Sequence, residues 1–370
     1  MSLDTLSLRP VKAHFRKLDW VIIGSAVMLV VFGLLAIFSA SLRKGDFLNF
    51  KKQLIFFVIS VFLMFLISFF DYRTLRNNSY LILVFYFLCL LMLIGVFFLA
   101  PEIRGKRGWY KLGILSFDPI EPVKIILLVL LAKYFSMRHV EMYSFRHIIF
   151  SGIYVLLPAL LIFFQPDMGA VIILIIVWLS ILLISGIKIK HFVVLSLCAL
   201  LLLGIFWQFL IKDYQKDRIT SFLFPKDPLG SSWSQNQAKI AIGSGEIWGK
   251  GFMKGSQLQY GFLPEPHTDF IFAALAEEFG LVGIMVIFFA YIMLVWRIIK
   301  IAVDSQSNFP RIFASGFAVI LIAHFVINVG MNLGLLPVIG IYLPFISYGG
   351  SGLVGDFIGL GLLQSIKSKI

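Results

Sequence analysis

The chain is short of charged residues. Only 14% of its 370 residues are Asp, Glu, Lys or Arg, whereas soluble domains carry about a quarter. Hydrophobic residues make up 60% of the sequence, which excludes an ordinary soluble globular protein. We therefore expect an all-α, polytopic integral membrane protein in which a single membrane domain occupies residues 1–370.

Cysteine and acidic residues are also scarce. Cys89 and Cys198 both lie in apolar runs, so no disulfide framework or cysteine metal site is indicated. Lys and Arg exceed Asp and Glu to give a net charge of +13, which in a soluble protein would suggest nucleic acid. In a membrane protein the same excess is expected from cytoplasmic loops and anionic lipid, so we expect no nucleic-acid partner.

Long apolar runs fill most of the chain. Each spanning run must be helical, because unpaired backbone groups are too costly in lipid. Residues 1–19 are polar and basic, and the run after them is long enough to remain as a span, so no cleaved signal is expected. The runs predict ten transmembrane helices, at 20–40, 53–70, 80–100, 119–136, 147–164, 168–186, 191–211, 269–296, 312–331 and 344–366.

The distribution of Lys and Arg predicts the orientation. These residues are more frequent in the connections that face the cytoplasm if both termini are placed there. One long extracytoplasmic loop then covers about 212–268, and aromatic residues among its glycines predict packing onto the membrane face. The outer loops nevertheless carry cations, among them Arg104, Lys111, Arg218 and Lys239. Two explanations stay open for these cations: anchoring to lipid headgroups, or a site for an anionic ligand.

Ionisable residues inside the predicted spans mark functional or architectural positions. Glu121 and Lys124 are three residues apart on one helix face, which favours a buried ion pair over a direct catalytic role. Asp167 directly precedes a predicted helix and is expected to cap it, at an end that can also line a site.

The stretch 263–280, "LPEPHTDFIFAALAEEFG", concentrates acidic residues at the start of an apolar helix. Either Thr268 or Asp269 caps that helix, or the Asp269 carboxylate serves a site. Glu277 and Glu278 lie deeper and on other helix faces, so we expect them to hold neighbouring helices. His267 is either a ligand or base, or a structural hydrogen-bonding residue.

The segment 327–352 is rich in Asn, Gly and Pro and carries no charge. Small residues here favour close helix contact. The alternative is that backbone amides together with Ser347, Tyr348 and Ser351 line a polar cleft.

Across these segments, and over nearly its whole length, the chain resembles the SEDS family (shape, elongation, division and sporulation), and within it the elongation branch. Two acids, Asp118 and Asp356, depart from the residues usual in that family. The resemblance rests on "R-x-W … G … F-x-P-x-E-x-x-K" (Arg107 to Lys124), "QPDMG", "DYQKDR", "Q-x-K-IAIGSG … GKG … GSQ" (Gln237 to Gln257), "FLPEPHTDFIFAALAEE" and "NVGMNLGLLPVIGIYLPFISYGGSG".

The resemblance implies a peptidoglycan glycosyltransferase that polymerises lipid II into β-1,4 glycan strands during cell elongation, at the outer face of the bacterial cytoplasmic membrane. It further implies a class B penicillin-binding protein as the transpeptidase partner, together with other cell-elongation proteins. Asp269 matches the family's essential aspartate and would be the general base. Two other functions stay open: a lipid II flippase, and a membrane scaffold for the penicillin-binding protein.

The implied reaction needs few side chains. A sugar hydroxyl needs a base within hydrogen-bond reach, and one carboxylate is enough when the leaving group is a diphosphate whose charge is met. Lys239, Arg104, Lys111 and Arg218 are the candidates for binding that diphosphate, and Lys239 is favoured by its motif. A divalent cation, Mg²⁺ or Mn²⁺ at Asp269, is a further expectation that no ligand cluster demands. His267, Ser347 and Tyr348 complete the substrate-binding candidates, and Glu121, Lys124 and Asp167 the supporting ones.

Overall fold

The computed structural model describes residues 13–42, 45–101, 108–113, 115–137, 145–197, 213–224 and 232–370. Thirteen helices and one β-hairpin have bounds within these residues. They are α1 Trp20–Leu42, α2 Leu48–Phe69, α3 Tyr72–Asn77, α4 Ser79–Leu99, β1 Tyr110–Leu112, β2 Leu115–Phe117, α5 Ile120–Ser136, α6 Phe145–Phe164, α7 Met168–Ile184, α8 Asp213–Leu223, α9 Trp233–Ser244, α10 Ser256–Gln259, α11 Ile271–Asp304, α12 Asn308–Leu333 and α13 Gly350–Lys367.

The described residues contain six helices that are long and apolar enough to cross a membrane: α1, α2, α4, α6, α11 and α12. The shorter helices α5 and α7 coincide with two more of the predicted spans. Helix α13 covers most of the last one, but it begins at Gly350 rather than at 344 because a glycine-rich turn precedes it. The seventh predicted span, 191–211, lies mostly outside the described residues. The polytopic helical class is therefore confirmed, whereas the number of ten spans stays a prediction.

The two ends of the described chain meet at one face of the helix bundle. The Asp19 backbone N–H, just before α1, donates to Gln364 Oε1 in the last helix at 2.8 Å. At the same level Arg297 Nη2 forms an ion pair with Asp19 Oδ2 at 2.6 Å. We call this end of the bundle the terminal face, and the opposite end the loop face.

Two contacts between α1 and α11 fix the thickness of the bundle. Asp19 pairs with Arg297 at the terminal face, and the Ser39 hydroxyl donates to the Glu278 carboxylate at the other. Because 19 or 20 residues separate these positions in each helix, each rises about 30 Å at 1.5 Å per residue. That rise equals the hydrocarbon thickness of a typical bilayer, so Ser39 and Glu278 lie near its boundary on the loop face.

The long helix α11 is broken at Gly280, whose φ of 63° and ψ of −166° are not helical. The backbone groups released there pair with residues 246–251, since Leu281 N–H donates to the Glu246 carbonyl and Gly251 N–H donates to the Glu278 carbonyl. A break in a spanning helix is tolerated only when neighbouring protein satisfies the freed groups. Part of the predicted long loop is thus built into the bundle, beside α11.

Candidate active site

The stretch 263–280 runs from the loop into the first turns of α11. The helix starts at Ile271, and Phe270 occupies the N-cap position without a side-chain hydrogen bond to the helix. The capping interpretation is therefore wrong for both Thr268 and Asp269, because neither occupies the capping position. The Thr268 hydroxyl instead donates to the Glu265 carbonyl at 3.5 Å, and Asp269 is partly exposed at the loop face.

The backbone of Asp269 is held by two amides of α12. Asn332 Nδ2 donates to the Asp269 carbonyl at 2.9 Å, and Asn328 Nδ2 donates to the same oxygen at 3.3 Å. Asn332 Oδ1 in turn accepts from the Ala273 N–H at 3.2 Å, in the first turn of α11. Asn328 and Asn332 are fully buried, so this clamp fixes the position from which the carboxylate projects.

The residues before Asp269 are held from the other side. The Ser347 hydroxyl donates to the Thr268 carbonyl at 2.8 Å, and the Tyr348 N–H donates to the His267 carbonyl at 2.7 Å. Ser347 Oγ also accepts from the Leu343 N–H at 2.9 Å. Ser347 is buried and its hydroxyl makes both of these hydrogen bonds, so it positions the residues just before Asp269.

The turn at residues 334–340, which we call the glycine loop, lies beside the Asp269 carboxylate. A Cβ placed on Gly340 would lie 3.8 Å from Asp269 Oδ2. A Cβ placed on Gly334 would lie 3.6 Å from Lys239 Nζ. Both glycines have φ near 80°, a conformation that side chains with a Cβ rarely adopt.

A third charged group reaches the same loop, because Arg218 Nη1 donates to the Val338 carbonyl at 3.4 Å. Helix α9, which carries Lys239, is tied down by Gln235, whose Nε2 donates to the carbonyls of Met331 and Leu336 at 3.0 and 2.8 Å. One carboxylate and two cations from three separate segments therefore surround the glycine loop. Such an arrangement can take a proton from a hydroxyl and stabilise an adjacent anion.

The other predicted cations have different outcomes. Arg104 lies outside the described residues. Lys111 is exposed on the β-hairpin, opposite Ser116. The hairpin packs against α4 and α13, since the Tyr110 hydroxyl donates to the Met92 carbonyl at 2.6 Å and the Asp118 N–H donates to Ser351 Oγ at 2.8 Å.

Asp167 and Asp118 both start helices. Asp167 Oδ1 accepts from the Ala170 N–H at 3.1 Å, which confirms the predicted cap of α7. Asp118 Oδ1 accepts from the Ile120 N–H at 2.9 Å in the first turn of α5. This bond gives Asp118, which departs from the family pattern, a local structural role.

The Glu121–Lys124 pair is buried, with 2.8 Å between Lys124 Nζ and Glu121 Oε2. Sequence reasoning missed the rest of its network. Lys124 Nζ lies 3.2 Å from His324 Nε2, and the Tyr342 hydroxyl donates to Glu121 Oε2 at 3.0 Å. Asp356 Oδ1 lies 3.5 Å from the same hydroxyl. His324 was visible as an ionisable residue in an apolar span, whereas no local signal marked Tyr342.

We expect Tyr342→Phe to lower the free energy of unfolding by about 1–3 kcal/mol, because it removes the buried hydrogen bond that the Tyr342 hydroxyl donates to a carboxylate. The measurement is thermal unfolding of the purified protein in detergent. Tyr80→Phe is the matched control, since Tyr80 is 87% exposed and the same change there should stay within about 0.5 kcal/mol. Equal unfolding midpoints for the two variants would contradict the network.

The two glutamates of α11 bind different partners. Glu278 accepts from the Ser39 hydroxyl of α1, as expected of a residue that holds a neighbouring helix. Glu277 differs from that expectation, because its carboxylate accepts from the N–H groups of Gln257 and Leu258 at 2.8 and 3.1 Å. Glu277 therefore fixes the long loop rather than another spanning helix.

The described residues contain no preassembled cluster of metal ligands. Among them, no group of three or more His, Cys, Asp or Glu side chains gathers closely enough to hold an ion. Mg²⁺ uses one or two carboxylates together with substrate phosphates, so Asp269 alone does not establish a metal.

The comparisons identify the family. A profile described as "Cell cycle protein" (FTSW_RODA_SPOVE) matches residues 19–370. The chain belongs to this family. The SEDS prediction made from the motifs is thereby confirmed.

The chain is also similar to the following curated relative and solved structures. "Peptidoglycan glycosyltransferase MrdB" of Escherichia coli (strain K12) is 39% identical over 284 residues, which cover 76% of each chain. A chain of the solved structure "Structural coordination of polymerization and crosslinking by a peptidoglycan synthase complex" is 29% identical with a TM-score of 0.81, covering 95% of this chain and 98% of that one. An aspartate-to-alanine mutant of "Rod shape determining protein RodA" from Thermus thermophilus is 28% identical with a TM-score of 0.71, covering 95% and 97%.

Proposed function

We propose that this protein is a peptidoglycan glycosyltransferase that polymerises lipid II into β-1,4 glycan strands during cell elongation. The observation that carries the proposal is the clamped Asp269 carboxylate beside the glycine loop, with Lys239 and Arg218 at the same loop. In support, the relative MrdB is named a peptidoglycan glycosyltransferase. It matches about three quarters of the chain at 39% identity.

Asp269 is the proposed general base. It takes the proton from the C4 hydroxyl of the acceptor sugar, whose oxygen then attacks the anomeric carbon of the donor and releases lipid diphosphate. A base must be held within hydrogen-bond reach of the proton that it removes, and a clamped backbone provides that placement. Asn328 and Asn332 both donate to the backbone carbonyl of Asp269, so they position the residue through its main chain.

Lys239 and Arg218 are the proposed binding groups for the diphosphate. Charge-assisted hydrogen bonds from ammonium and guanidinium groups stabilise phosphate oxygens as negative charge develops on the leaving group. Arg104 and Lys111 remain further candidates from the outer loops. His267 and Tyr348 are proposed to line the site next to the base, and Ser347 to position it.

The level of the site in the membrane suits a lipid-linked substrate. The Asp269 carbonyl is held by Asn328 and Asn332 near the end of α12, so Asp269 lies at the loop face of the bundle. The sugars and the diphosphate of lipid II lie at that level while the lipid tail stays in the bilayer. We place the loop face outside the bacterial cytoplasmic membrane and both termini in the cytoplasm, following the distribution of Lys and Arg.

A class B penicillin-binding protein is the proposed partner, with other cell-elongation proteins. Supporting this, one structural neighbour belongs to a peptidoglycan synthase complex that coordinates polymerization and crosslinking. Polymerisation in this protein and crosslinking in the partner would then act on the same strand.

The test is a polymerisation assay with the purified full-length protein, lipid II and liposomes, with and without the partner. Glycan strands are the expected product. Transport of lipid II between leaflets without any polymer would favour the flippase, and neither activity would favour a scaffold. Parallel reactions with EDTA, Mg²⁺ or Mn²⁺ test the proposed metal, because a loss that Mg²⁺ restores would indicate a metal bound at Asp269 or at the diphosphate.

Lys239→Gln should reduce the polymerisation rate by about 10²-fold, since removing one preorganised donor to a developing anion costs about that much. The measurement is the initial rate of glycan formation. Lys254→Gln is the matched control, because Lys254 is an exposed lysine of the same long loop. Equal rates for the two variants would show that Lys239 contributes only general surface charge.

A further inference from the structure

Two adjoining cavities of about 260 and 400 Å³ open at the terminal face, on the side opposite Asp269. Arg76, Gln306 and Ser307 line both, so the cavities form one continuous groove. We call it the terminal groove. It runs between helix α3, the end of α5, the turn from α11 to α12, and the residues that follow α13.

The terminal groove concentrates positive charge from three parts of the chain. Arg73 and Arg76 come from α3, Lys133 from the last turn of α5, and Lys369 from the segment after α13. No acidic side chain is among the described residues that line either cavity. Lys369 has an ion pair with Asp71 at 3.6 Å, whereas the Arg73 guanidinium has no ion-pair partner among the described residues.

The elements that carry these cations are held together by the fold. Lys133 Nζ donates to the Arg76 carbonyl, which ties α5 to α3. The Tyr72 ring stacks on the Phe309 ring with 6.2 Å between centroids, and the Tyr72 N–H donates to Ser365 Oγ at 3.2 Å. Helix α3 is thereby attached to both α12 and α13. A general excess of positive charge on the terminal face would not by itself require three elements to place their cations around one cavity.

The groove lies where spanning helices end or begin, which is the level of lipid headgroups. Helix α2 ends at Phe69, α5 at Ser136 and α11 at Asp304, and α12 begins at Asn308. Met137, beside the groove, is 68% exposed and offers apolar surface next to the cations. The site thus combines a cationic pocket with an apolar border, as expected for a lipid with an anionic headgroup.

We propose that the terminal groove binds the phosphodiester headgroup of an anionic phospholipid in the adjacent leaflet. Two arginines suit a phosphodiester, because a guanidinium donates two parallel hydrogen bonds to phosphate oxygens. The bound headgroup would link α3, the end of α5 and the α11–α12 turn. The inference does not depend on the glycosyltransferase activity, since the groove is at the opposite face from Asp269.

The test is native mass spectrometry of the full-length protein released from mixed vesicles of phosphatidylglycerol and phosphatidylcholine. We expect retained phosphatidylglycerol to exceed phosphatidylcholine, and the double variant Arg73→Gln/Arg76→Gln to lose about tenfold or more of that excess. Lys188→Gln/Lys190→Gln is the matched control, because it removes the same charge from exposed residues of another connection. If both double variants lose the same amount of retained phosphatidylglycerol, the proposed site is wrong, because general surface charge would then account for the binding.

Further arms distinguish the source of the phosphate and exclude misfolding. Inorganic phosphate at millimolar concentration should leave the retained phosphatidylglycerol unchanged. If phosphate alone raises the unfolding temperature and no lipid preference is found, the lipid assignment is wrong. Arg73→Lys/Arg76→Lys keeps the charge but not the paired donors, so we expect it to retain more phosphatidylglycerol than the glutamine variant. Size-exclusion profiles and unfolding temperatures show whether each variant is folded. If the glutamine variant unfolds, the lysine variant decides: less retained phosphatidylglycerol than in the wild type supports the groove, and retention equal to that of the wild type overturns it.

Discussion

Asp269→Asn is expected to abolish glycan polymerisation, with a loss of about 10²–10⁴-fold, the range that general-base catalysis contributes. The amide has the shape of the carboxylate but cannot accept the proton of the attacking hydroxyl. The fold should survive, because Asn328 and Asn332 bind the backbone carbonyl of residue 269, which the substitution leaves in place. The measurement is the initial rate of strand formation by purified protein from lipid II.

Asp167→Asn is the matched control for this variant. It makes the same chemical change at another aspartate next to a helix start, and asparagine is about as good a helix cap as aspartate. We therefore expect its polymerisation rate to stay close to that of the wild type. An Asp269→Asn protein that folds and polymerises at the wild-type rate would refute the general-base assignment and leave the rest of the site to be explained.

Gly245→Ala is expected to have a large effect on the stability of the protein. A Cβ at this position would lie 2.0 Å from the Ala276 carbonyl oxygen and 2.8 Å from its carbon. Both are backbone atoms of α11, so no side-chain rotation can relieve the overlap. Overpacking of this kind costs about 1–3 kcal/mol or more, because the two segments must separate.

Gly243→Ala provides the comparison, two residues away in helix α9. A Cβ there meets no heavy atom within 4 Å, and alanine is favoured over glycine in a helix by about 1 kcal/mol. Thermal unfolding and the folded fraction on size exclusion measure both variants. We expect Gly243→Ala to match or exceed the wild type, and similar midpoints for the two variants would contradict the close approach of the loop to α11.

The backbone pairing of the loop with α11 explains why a Cβ at Gly245 has no room. Residues 246–251 pair by backbone hydrogen bonds with both sides of Gly280, and Glu277 holds the following turn through Gln257 and Leu258. The same helix begins with Asp269. Displacing the loop from α11 would therefore also disturb the clamp on the proposed base, and we expect the polymerisation rate of Gly245→Ala to fall with its stability.

The sequence by itself determined the membrane class and the places of most of the long helices. Apolar runs must form helices in lipid, whatever they pack against, so composition and length are sufficient for these predictions. The Glu121–Lys124 pair and the Asp167 cap were also predictable, because both depend on residues within one helical turn.

Only the tertiary structure decided which distant segments meet. The glycine loop lies against Asp269, Lys239 and Arg218, and Tyr342 joins Glu121 to Asp356, through contacts between residues far apart in the chain. Helical periodicity shows which face of a helix is apolar but does not say which neighbour covers it. The break at Gly280 was hidden for the same reason, since its backbone groups are satisfied by a loop that the local sequence does not specify.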